Sequence, residues 1–358
     1  MAKVLLLGWS SSNHVFSWAN ALKARGHEII VITHDGAPIE GIEVISLPKS
    51  PLGKGAYIWN RRRVAALAKK IKPDLIHALF ATSYGLWGRA AKRATGVPLI
   101  ITALGSDIVQ SLNSLFGRAL VKKTLCMADA VTAPSRFLLN QAARFGTPLE
   151  NKSHLIPWGI DFTRVDAIKP QQVPDSEKVR ILFFKHLVKI YAPQLLLSAF
   201  VEIAKTFPQA TLTLAGKGDL ARSLEGFAEV NRIGYRVSFP GFVPHEQSYA
   251  FIAGHDIMVM PTAVPEGFGM AALEASALGL PVIASAHGAV SEIVEHERSG
   301  LLFKPNDISA LVEALSRLLG DTDLRRRYGQ AGAKIARENF DWSKSIDQMS
   351  ALYTQLLS

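Results

Sequence analysis

The sequence predicts an α/β protein with two doubly wound parallel-sheet domains. Short apolar strands alternate with helical patterns along the first half, and the alternation restarts after a polar, proline-containing stretch. The chain has 358 residues, which is more than one hydrophobic core usually serves. We therefore expect a first domain at residues 1–165, a second at residues 166–340, and a helix at residues 341–358 that could cross back onto the first domain.

Both halves contain apolar runs with the length of buried strands. In the first half these runs are Val4–Gly8, His27–Thr33, Asp74–Leu79, Pro98–Leu104 and Asp129–Pro134. In the second half they are Arg180–Phe184, Ala210–Gly216, Val237–Gly241, Asp256–Thr262, Pro281–Ser285 and Gly300–Phe303. We interpret the polar stretch Asp166–Lys178 as the linker. The carboxyl ends of two such sheets would face each other across one crevice, where open α/β sheets usually bind ligands.

Composition limits the class of protein. Hydrophobic residues make up 48% of the chain and charged residues 20%, which is typical of a globular protein. Cys126 is the single cysteine, so no internal disulfide can form and a reducing compartment is favoured. No apolar run has membrane-spanning length, and the opening MAKVLLLGWSS fits a first strand better than a signal peptide. These features predict a cytoplasmic protein.

Two glutamates in the segment PEGFGMAALEASALGLPVIAS suggest a ligand site. Glycines 267 and 269 permit a tight turn, and a helix beginning near Met270 directs free N–H groups at that turn, which suits an anion. Glu266 in the turn and Glu274 in the helix could then hydrogen-bond the hydroxyls of a polyol phosphate or sugar nucleotide. In the alternative interpretation, Glu266 is a solvated turn residue and Glu274 pairs with a buried basic group.

Residues 261–307 resemble the signature region of glycosyltransferase family 4, the retaining enzymes of GT-B fold. The two spaced glutamates of the family fall on Glu266 and Glu274, and its small-residue turn falls on Gly288 and Ala289. Shorter matches lie at Leu214–Asp219, Phe239–Pro244 and His154–Asp161. The resemblance implies two Rossmann-like domains, a nucleoside-diphosphate sugar donor of UDP or GDP type, and a glycan or lipid-linked acceptor in cell-surface polysaccharide or glycolipid synthesis.

The resemblance also implies roles for single residues. Glu274 would hold the ribose of the donor, Glu266 would be catalytic, and Val243 would border the base. Further donor contacts would come from Gly267, Phe268, Gly269, Met270, Ser11 and Ser12. The sequence has no metal-binding motif, so N–H groups and cations would stabilise the leaving diphosphate without a metal or other cofactor.

The sequence departs from the family where two phosphate-binding cations are usual. The segment FFKHLVKIYAP offers Lys185, to which we assign the catalytic phosphate contact, and Lys189 as second choice. The alternative is that both lysines only solvate a loop. Leu104 stands where many relatives have a histidine, so acceptor-side contacts must come from elsewhere. The candidates are His14, His77 and Asp107.

Two other functions remain open at this point. One is a sugar-nucleotide-binding partner subunit with little transfer activity, which the altered lysine motif and Leu104 favour. The other is an epimerase or phosphorylase of GT-B fold. A dinucleotide oxidoreductase is disfavoured because GWSSSNH lacks the glycine fingerprint after the first strand.

Positive charge is concentrated in the first half. Residues 1–165 hold 21 Lys and Arg against 9 Asp and Glu, a balance of +12, whereas residues 166–358 hold 19 against 21, a balance of −2. The segment Asn60–Lys72 predicts a helix with one apolar face and six cations around the rest, and further cations are Arg89, Lys92, Arg93, Arg118, Lys122 and Lys123. This basic face could dock on anionic lipid at the inner face of a membrane, recognise a phosphorylated acceptor, or simply be solvated. No motif indicates a nucleic-acid partner.

Overall fold

A computed structural model describes residues 1–48, 56–168 and 178–358 of the chain. Contacts divide the chain into two compact units. Unit 1 comprises Met1–Pro157 and Ser343–Ser358, and unit 2 comprises Trp158–Trp342. Most of the predicted linker Asp166–Lys178, namely residues 169–177, lies outside the described residues.

Unit 1 is built on a seven-stranded parallel sheet. Its strands are β1 (Lys3–Leu7), β2 (Glu28–Thr33), β3 (Glu43–Ser46), β4 (Leu75–Leu79), β5 (Leu99–Thr102), β6 (Ala130–Ala133) and β7 (Ser153–Leu155). They lie in the order β3-β2-β1-β4-β5-β6-β7, and every neighbouring pair is parallel. The five strands predicted in this half are present.

Strands β3 and β7, which form the two edges of this sheet, were not predicted from the sequence. Neither strand contains a fully buried residue, whereas all the residues of β4, β5 and β6 are buried. A strand covered on both faces needs a continuous apolar run, but an edge strand of three or four residues does not. The edges therefore lacked the pattern on which the strand predictions depended.

The helices of unit 1 cover the sheet with the faces that their spacing predicts. Those before residue 157 are α1 (Asn13–Ala24), α2 (Ala56–Ile71), α3 (Ser83–Thr95), α4 (Ser106–Val109), α5 (Leu115–Met127) and α6 (Arg136–Ala143). In α1 the buried residues are Val15, Trp18, Ala19 and Leu22. In α2, Val64 and Ala68 are fully buried in the core of unit 1. The apolar face predicted for the helix at Asn60–Lys72 is therefore the face that α2 buries.

Unit 2 is built on a six-stranded parallel sheet. Its strands are β8 (Val179–Phe184), β9 (Ala210–Ala215), β10 (Val237–Gly241), β11 (Ile257–Met260), β12 (Val282–Ser285) and β13 (Gly300–Phe303). They lie in the order β10-β9-β8-β11-β12-β13, and all six were predicted. Its helices are α7 (Phe162–Asp166), α8 (Pro193–Thr206), α9 (Ala221–Val230), α10 (His245–Ala253), α11 (Met270–Ala277), α12 (Ile308–Gly320) and α13 (Thr322–Asn339).

The strand orders confirm the predicted fold class and show where each sheet can bind a ligand. In unit 1 the order reverses direction between β1 and β4, and in unit 2 it reverses between β8 and β11. Connections leave such a pair of strands toward opposite faces of the sheet, which opens a space at their carboxyl ends. The loops after β1, β4, β8 and β11 are therefore the places to look for functional side chains.

One further helix, α14 (Trp342–Leu357), packs in unit 1. Its Tyr353 is fully buried, and the Tyr353 hydroxyl lies 2.6 Å from Nδ1 of His77 in β4. The other ring nitrogen of His77 lies 2.6 Å from the Thr102 hydroxyl, which lies 2.6 Å from that of Thr132. Burial lowers the pKa of His77 to about 3, so this row of hydrogen bonds holds a neutral imidazole. Among the described helices, none combines the length and the apolarity needed to cross a bilayer.

Replacing Tyr353 with phenylalanine should destabilise unit 1 by about 1–3 kcal/mol, because a buried imidazole nitrogen loses its partner. Urea unfolding of the Tyr353→Phe protein measures this loss. Tyr235→Phe is the matched control, since Tyr235 is 86% exposed and its change should stay within about 0.5 kcal/mol. Equal stability of the two variants would show that the hydrogen bond between His77 and Tyr353 contributes nothing.

Candidate active site

Glu266 lies in the loop after β11, and its backbone is held by the loop after β12. The Glu266 N–H donates to the His287 carbonyl (3.2 Å), and the Glu266 carbonyl accepts from the Ala289 N–H (2.8 Å). Gly288 lies between these partners with φ of +80°, and a Cβ at this position would come within 2.3 Å of the Glu266 carbonyl oxygen. Only glycine permits that approach, so the position of Glu266 depends on Gly288.

Lys185 follows β8 and forms an ion pair with Glu266. Its Nζ lies 3.0 Å from Glu266 Oε2, and the two side chains are 17% and 15% exposed. The ammonium also lies over the ring of Tyr191, 4.7 Å from the ring centroid. Gly216, which follows β9, has φ of +148°, and a Cβ there would lie 2.0 Å from the Lys185 carbonyl oxygen. The reversal point of this sheet therefore holds one cation and one carboxylate in a fixed, half-buried pair.

Helix α11 begins directly after this loop and has no side-chain cap. Gly269 precedes the helix with φ of +107°. The Asp307 side chain accepts a hydrogen bond from an N–H group at the start of α12, but no side chain caps α11 in this way. The N-terminus of such a helix attracts negative charge. Phe268 is buried, and its ring lies against the Phe340 ring with centroids 5.8 Å apart, so its side chain is not available to a ligand. Gly267 and Met270 are partly exposed on either side.

Glu274 lies in the second turn of α11 and is only 7% exposed. Burial raises the pKa of its carboxyl to about 7, against the opposing effect of the Arg164 and Lys185 charges. Within the described residues, no donor hydrogen-bonds this carboxylate. A buried acid in this state gains from any hydroxyl group that a ligand brings to it.

Arg164 and Tyr249 complete the surroundings of Glu274, and sequence analysis missed both. The Arg164 guanidinium lies over the Tyr249 ring, 4.7 Å from its centroid, and its Nη1 lies 3.2 Å from His245 Nε2. Burial raises the pKa of Tyr249, and the nearby Glu274 charge raises it further. The only signal in the sequence was an arginine shortly after the matched segment His154–Asp161. Neither position belongs to a motif, so spacing could not join them to Glu274.

Lys189 and Val243 lie on other loops of unit 2. Lys189 is exposed and opens the short 3-10 helix Lys189–Tyr191. The carbonyl of Ile190 in that helix accepts the Ala263 N–H at 2.9 Å, so the turn adjoins the loop that carries Glu266. Val243 is half-buried between β10 and α10. Their predicted contacts with the donor stay predictions.

In unit 1 the polar groups of the loop after β1 are hydrogen-bonded to other residues of the chain. The N–H and hydroxyl of Ser10 donate to Asp35 Oδ1 at 3.0 and 2.9 Å, and the Ser11 N–H donates to Asp35 Oδ2 at 2.8 Å. Burial raises the pKa of Asp35, but hydrogen bonds from Ser11, Thr33 and Ser10 outweigh this and hold it well below its usual range. The Ser12 hydroxyl accepts from the His14 N–H and caps α1. The predicted donor contacts of Ser11 and Ser12 must therefore compete with these bonds.

The three acceptor-side candidates of unit 1 differ in access. His77 lies in the middle of β4 rather than at its end. It is fully buried and both of its ring nitrogens are hydrogen-bonded, so the expectation that it borders a ligand was wrong. Asp107 is 3% exposed and accepts the N–H groups of Ala81, Leu104 and Gly105, which makes it a loop-fixing residue. His14 is half-buried, and burial lowers its pKa to about 4.

The Glu274→Gln protein should be more stable than wild type at about pH 8, by about 2–3 kcal/mol. The folded-state pKa of about 7 lies above the ordinary 4.5, so the folded protein binds more protons at Glu274 between these values and wild-type stability falls as pH rises through them. Thermal unfolding at about pH 4 and about pH 8 measures the effect, and the two proteins should converge at the lower pH. The exposed Glu225→Gln is the control and should follow wild type at both values. A Glu274→Gln protein less stable than wild type at about pH 8 would contradict the costly burial of this charge.

Two family models match the chain. "Glycosyl transferases group 1" matches residues 165–335, and "Glycosyl transferase 4-like" matches residues 3–135. The D-inositol 3-phosphate glycosyltransferase of Corynebacterium jeikeium is 34% identical, over 96% of this chain and 91% of that protein. The N-acetyl-alpha-D-glucosaminyl L-malate synthase of Bacillus anthracis is 25% identical, over 94% and 91%.

Solved structures show the same fold. Sucrose-phosphate synthase from Thermosynechococcus elongatus has a TM-score of 0.85 at 24% identity, covering 99% of both chains. Anabaena HepE in complex with UDP and glucose has a TM-score of 0.83 at 20% identity, covering 99% of this chain and 100% of that one. With family models along both units and a relative at 34% identity, the chain belongs to the group 1 glycosyltransferases, of the family 4 type, and has the GT-B fold.

Proposed function

We propose that the protein is a retaining glycosyltransferase that moves a sugar from a nucleoside-diphosphate sugar to a hydroxyl group of a glycan or lipid-linked acceptor. The observation that carries this proposal is the half-buried pair of Lys185 and Glu266 beside the uncapped N-terminus of α11. Membership of the family and the likeness to HepE, whose structure contains UDP and glucose, support a donor of UDP or GDP type. A place in cell-surface polysaccharide or glycolipid synthesis is part of the proposal.

Positive charge at this site suits a leaving diphosphate. When the bond between sugar and phosphate breaks, negative charge grows on the departing oxygen, and preorganised cations and N–H groups stabilise it without reorganisation. Lys185 provides the cation, and the N–H groups from Gly267 to Met270 provide the helix end. Because the chain supplies this charge itself, we propose transfer without a resident metal. The described residues contain no group of three or more His, Cys, Asp and Glu arranged to hold one.

The two glutamates then divide the donor between them. Glu274 is buried and takes no hydrogen bond from the described residues, so the ribose hydroxyls can bond to it. Glu266 is held by Lys185 and by the Gly288 turn, and its carboxylate would face the reacting sugar. A carboxylate there stabilises the positive charge that develops on the sugar ring as the diphosphate leaves.

The bonds and protons of the transfer balance within donor and acceptor. The acceptor oxygen approaches the anomeric carbon from the face that the diphosphate leaves, and a new carbon–oxygen bond forms there as the bond to phosphate breaks. The departing phosphate oxygen takes the proton of the acceptor hydroxyl, so the step needs no protein base. Attack from that face retains the configuration at the anomeric carbon.

Glu266→Gln should lower turnover by at least about 100-fold, the usual effect of losing one preorganised charge contact. Release of UDP or GDP from UDP-glucose or GDP-mannose measures turnover, with water or an added glycan as acceptor and EDTA present. The nucleotide should still raise the unfolding temperature of the variant, because the ribose contact at Glu274 is intact. At about 100 times its dissociation constant, the nucleotide stabilises the folded state by about 2.7 kcal/mol.

Exposed Glu225→Gln is again the control and should turn over like wild type. Unchanged turnover in Glu266→Gln would refute the assigned role of this residue. Nucleotide binding without turnover in the wild type, together with an unchanged activity of an associated enzyme, would favour the partner-subunit function. Epimerised sugar nucleotide formed without acceptor would favour an epimerase, and activity abolished by EDTA would refute metal independence.

The basic surface of unit 1 supports a second part of the proposal, peripheral binding to an anionic membrane. The arginines at 61, 62 and 63 are exposed in α2, beside exposed Trp59, whose ring lies 4.6 Å from the Arg63 guanidinium. At the start of α5, Leu115 and Phe116 are 89% and 71% exposed. Helices α2 and α5 both pack on α3. Exposed aromatic and basic side chains together suit a lipid headgroup layer. Arg89, in contrast, is 8% exposed and does not contribute to this surface.

Replacing Arg61, Arg62 and Arg63 with glutamine should weaken binding to vesicles of phosphatidylglycerol and phosphatidylcholine about a hundredfold. Each cation near an anionic surface contributes about 1 kcal/mol, and about 1.4 kcal/mol corresponds to tenfold in affinity. Cosedimentation with vesicles measures the change, and vesicles of phosphatidylcholine alone should not bind wild type.

The control removes three exposed cations from unit 2, namely Arg222, Lys304 and Arg327. This variant should bind the vesicles as wild type does, because it loses the same charge from the other unit. Equal weakening in both variants would show that vesicle binding depends only on net charge and not on the surface of unit 1. Absence of binding to phosphatidylglycerol would refute the membrane surface and leave recognition of a phosphorylated acceptor.

A further inference from the structure

Aromatic rings form a cluster at the carboxyl ends of three strands of unit 1. The members of this aromatic cluster are Trp9, His34, Tyr57, Phe80, Tyr84 and Trp87. Neighbouring centroids are between 4.5 and 5.8 Å apart. Tyr84 and Trp87 are fully buried, whereas Trp9 is 41% exposed. Trp9 is therefore the exposed member of the aromatic cluster, whose rings meet tilted or edge-on.

The exposed end of the cluster lies where the sheet of unit 1 reverses direction. Trp9 follows β1 and Phe80 follows β4, and these two strands are neighbours in the sheet. Their rings are 5.4 Å apart and inclined at 60°, while Trp9 meets Tyr84 edge-on at 5.8 Å. The carboxyl ends at a reversal point are the usual ligand position in such a sheet, so the location is that of a binding surface.

Phe80 is held in a backbone conformation that costs energy. Its φ is +97°, a region that bulky side chains rarely adopt. The Phe80 N–H donates to the Thr102 carbonyl at 3.0 Å, and the Phe80 carbonyl accepts the Gly85 N–H at 2.8 Å, which fixes the residue from both sides. Strained backbone of this kind clusters at functional sites. The two hydrogen bonds therefore hold Phe80 against Trp9 despite the unfavourable backbone conformation.

The loop beside Trp9 is closed to anions. Its N–H groups at Ser10 and Ser11 donate to Asp35, and the carboxyl of Asp35 stays ionised because these bonds favour its charged form. The Asp35 charge reaches the aromatic cluster. Burial raises the pKa of Tyr57, hydrogen bonds lower it in part, and the Asp35 charge raises it further. A phosphate at this place would meet a negative charge and occupied amides. An uncharged sugar ring would not be repelled by the Asp35 charge.

We propose that Trp9 and Phe80 form a stacking platform for an uncharged sugar ring of the acceptor. This inference rests on the proposed transferase function and adds the chemical class of the acceptor at this place. The C–H groups on one face of a sugar ring are weakly positive and are attracted to the negative face of an aromatic ring. The platform thereby selects a neutral glycan ring over a phosphorylated one.

Saturation-transfer NMR with simple rings tests the platform. The probes are methyl α-glucoside, methyl α-mannoside and methyl α-galactoside as neutral rings, and glucose 6-phosphate as the charged ring. Wild type should transfer saturation to at least one neutral ring and not to glucose 6-phosphate. Trp9→Ala should bind that ring at least tenfold more weakly, and Trp9→Phe should retain part of the binding.

Trp59→Ala is the matched control, because Trp59 is 53% exposed in the same unit but lies outside the aromatic cluster. It should bind the neutral ring as wild type does. Trp9→Leu keeps an apolar contact with Phe80 and Tyr84 while removing the aromatic face, so it replaces Trp9→Ala if that variant does not fold. Trp9→Leu should show the same loss.

Three results would overturn the proposal. They are neutral-ring binding that is unchanged in the Trp9 variants, no saturation transfer to any neutral ring, and Trp9-dependent binding of glucose 6-phosphate. Thermal stabilisation by UDP, GDP and ADP, measured on the same proteins, tests the proposed transferase function separately from the role of Trp9. A wild type that binds no nucleotide would refute the proposed function, whereas the ring data would still decide the role of Trp9.

Discussion

The ion pair between Lys185 and Glu266 connects the two loops on which the rest of the candidate site depends. One partner follows β8 and the other follows β11, the two strands at which the second sheet reverses its order. Two glycines make the pair feasible, because Gly216 and Gly288 let neighbouring backbone come closer than any side chain would permit. The site therefore requires close backbone contacts at Gly216 and Gly288, which bring Lys185 and Glu266 together beside the uncapped end of α11.

Glu274 shows that this arrangement is not optimised for the stability of the unliganded protein. A carboxyl whose pKa is raised to about 7 by burial is costly to ionise, and Arg164 and Lys185 offset only part of that cost. In the proposed function, a hydroxyl group of the ligand donates the hydrogen bond that the described residues do not give to this carboxyl. Unit 1 follows the opposite rule, because Asp35 already satisfies the N–H groups of the loop after β1. Unit 2 thus leaves the carboxyl of Glu274 without a donor among the described residues, whereas unit 1 presents the exposed ring of Trp9.

The sequence predicted the parts of this molecule that local patterns control. Apolar runs identified every strand that is covered on both faces, and the spacing of Glu266 and Glu274 in a glycine turn identified a helix end and its two carboxylates. It could not predict partnerships that form across long separations. Arg164 meets Tyr249, and His77 meets Tyr353, because of how the chain folds, and no spacing encodes such pairs. The two edge strands of unit 1, β3 and β7, were missed because they are short and contain no buried residue, so they lack an apolar run. The edge strands of unit 2, β10 and β13, were predicted.

The hydrogen bond between His77 and Tyr353 also affects the order in which the protein can be completed during synthesis. The two residues are 276 positions apart, so β4 leaves the ribosome long before α14 does. Until then the imidazole in the middle of unit 1 has one nitrogen without its partner, and the core beside it stays uncovered. Domains generally fold as they emerge, from the N-terminus onward. Here unit 1 is synthesised first, but its last helix, α14, is made only after all of unit 2. A prematurely terminated chain would therefore expose part of the core of unit 1 to chaperones and proteases.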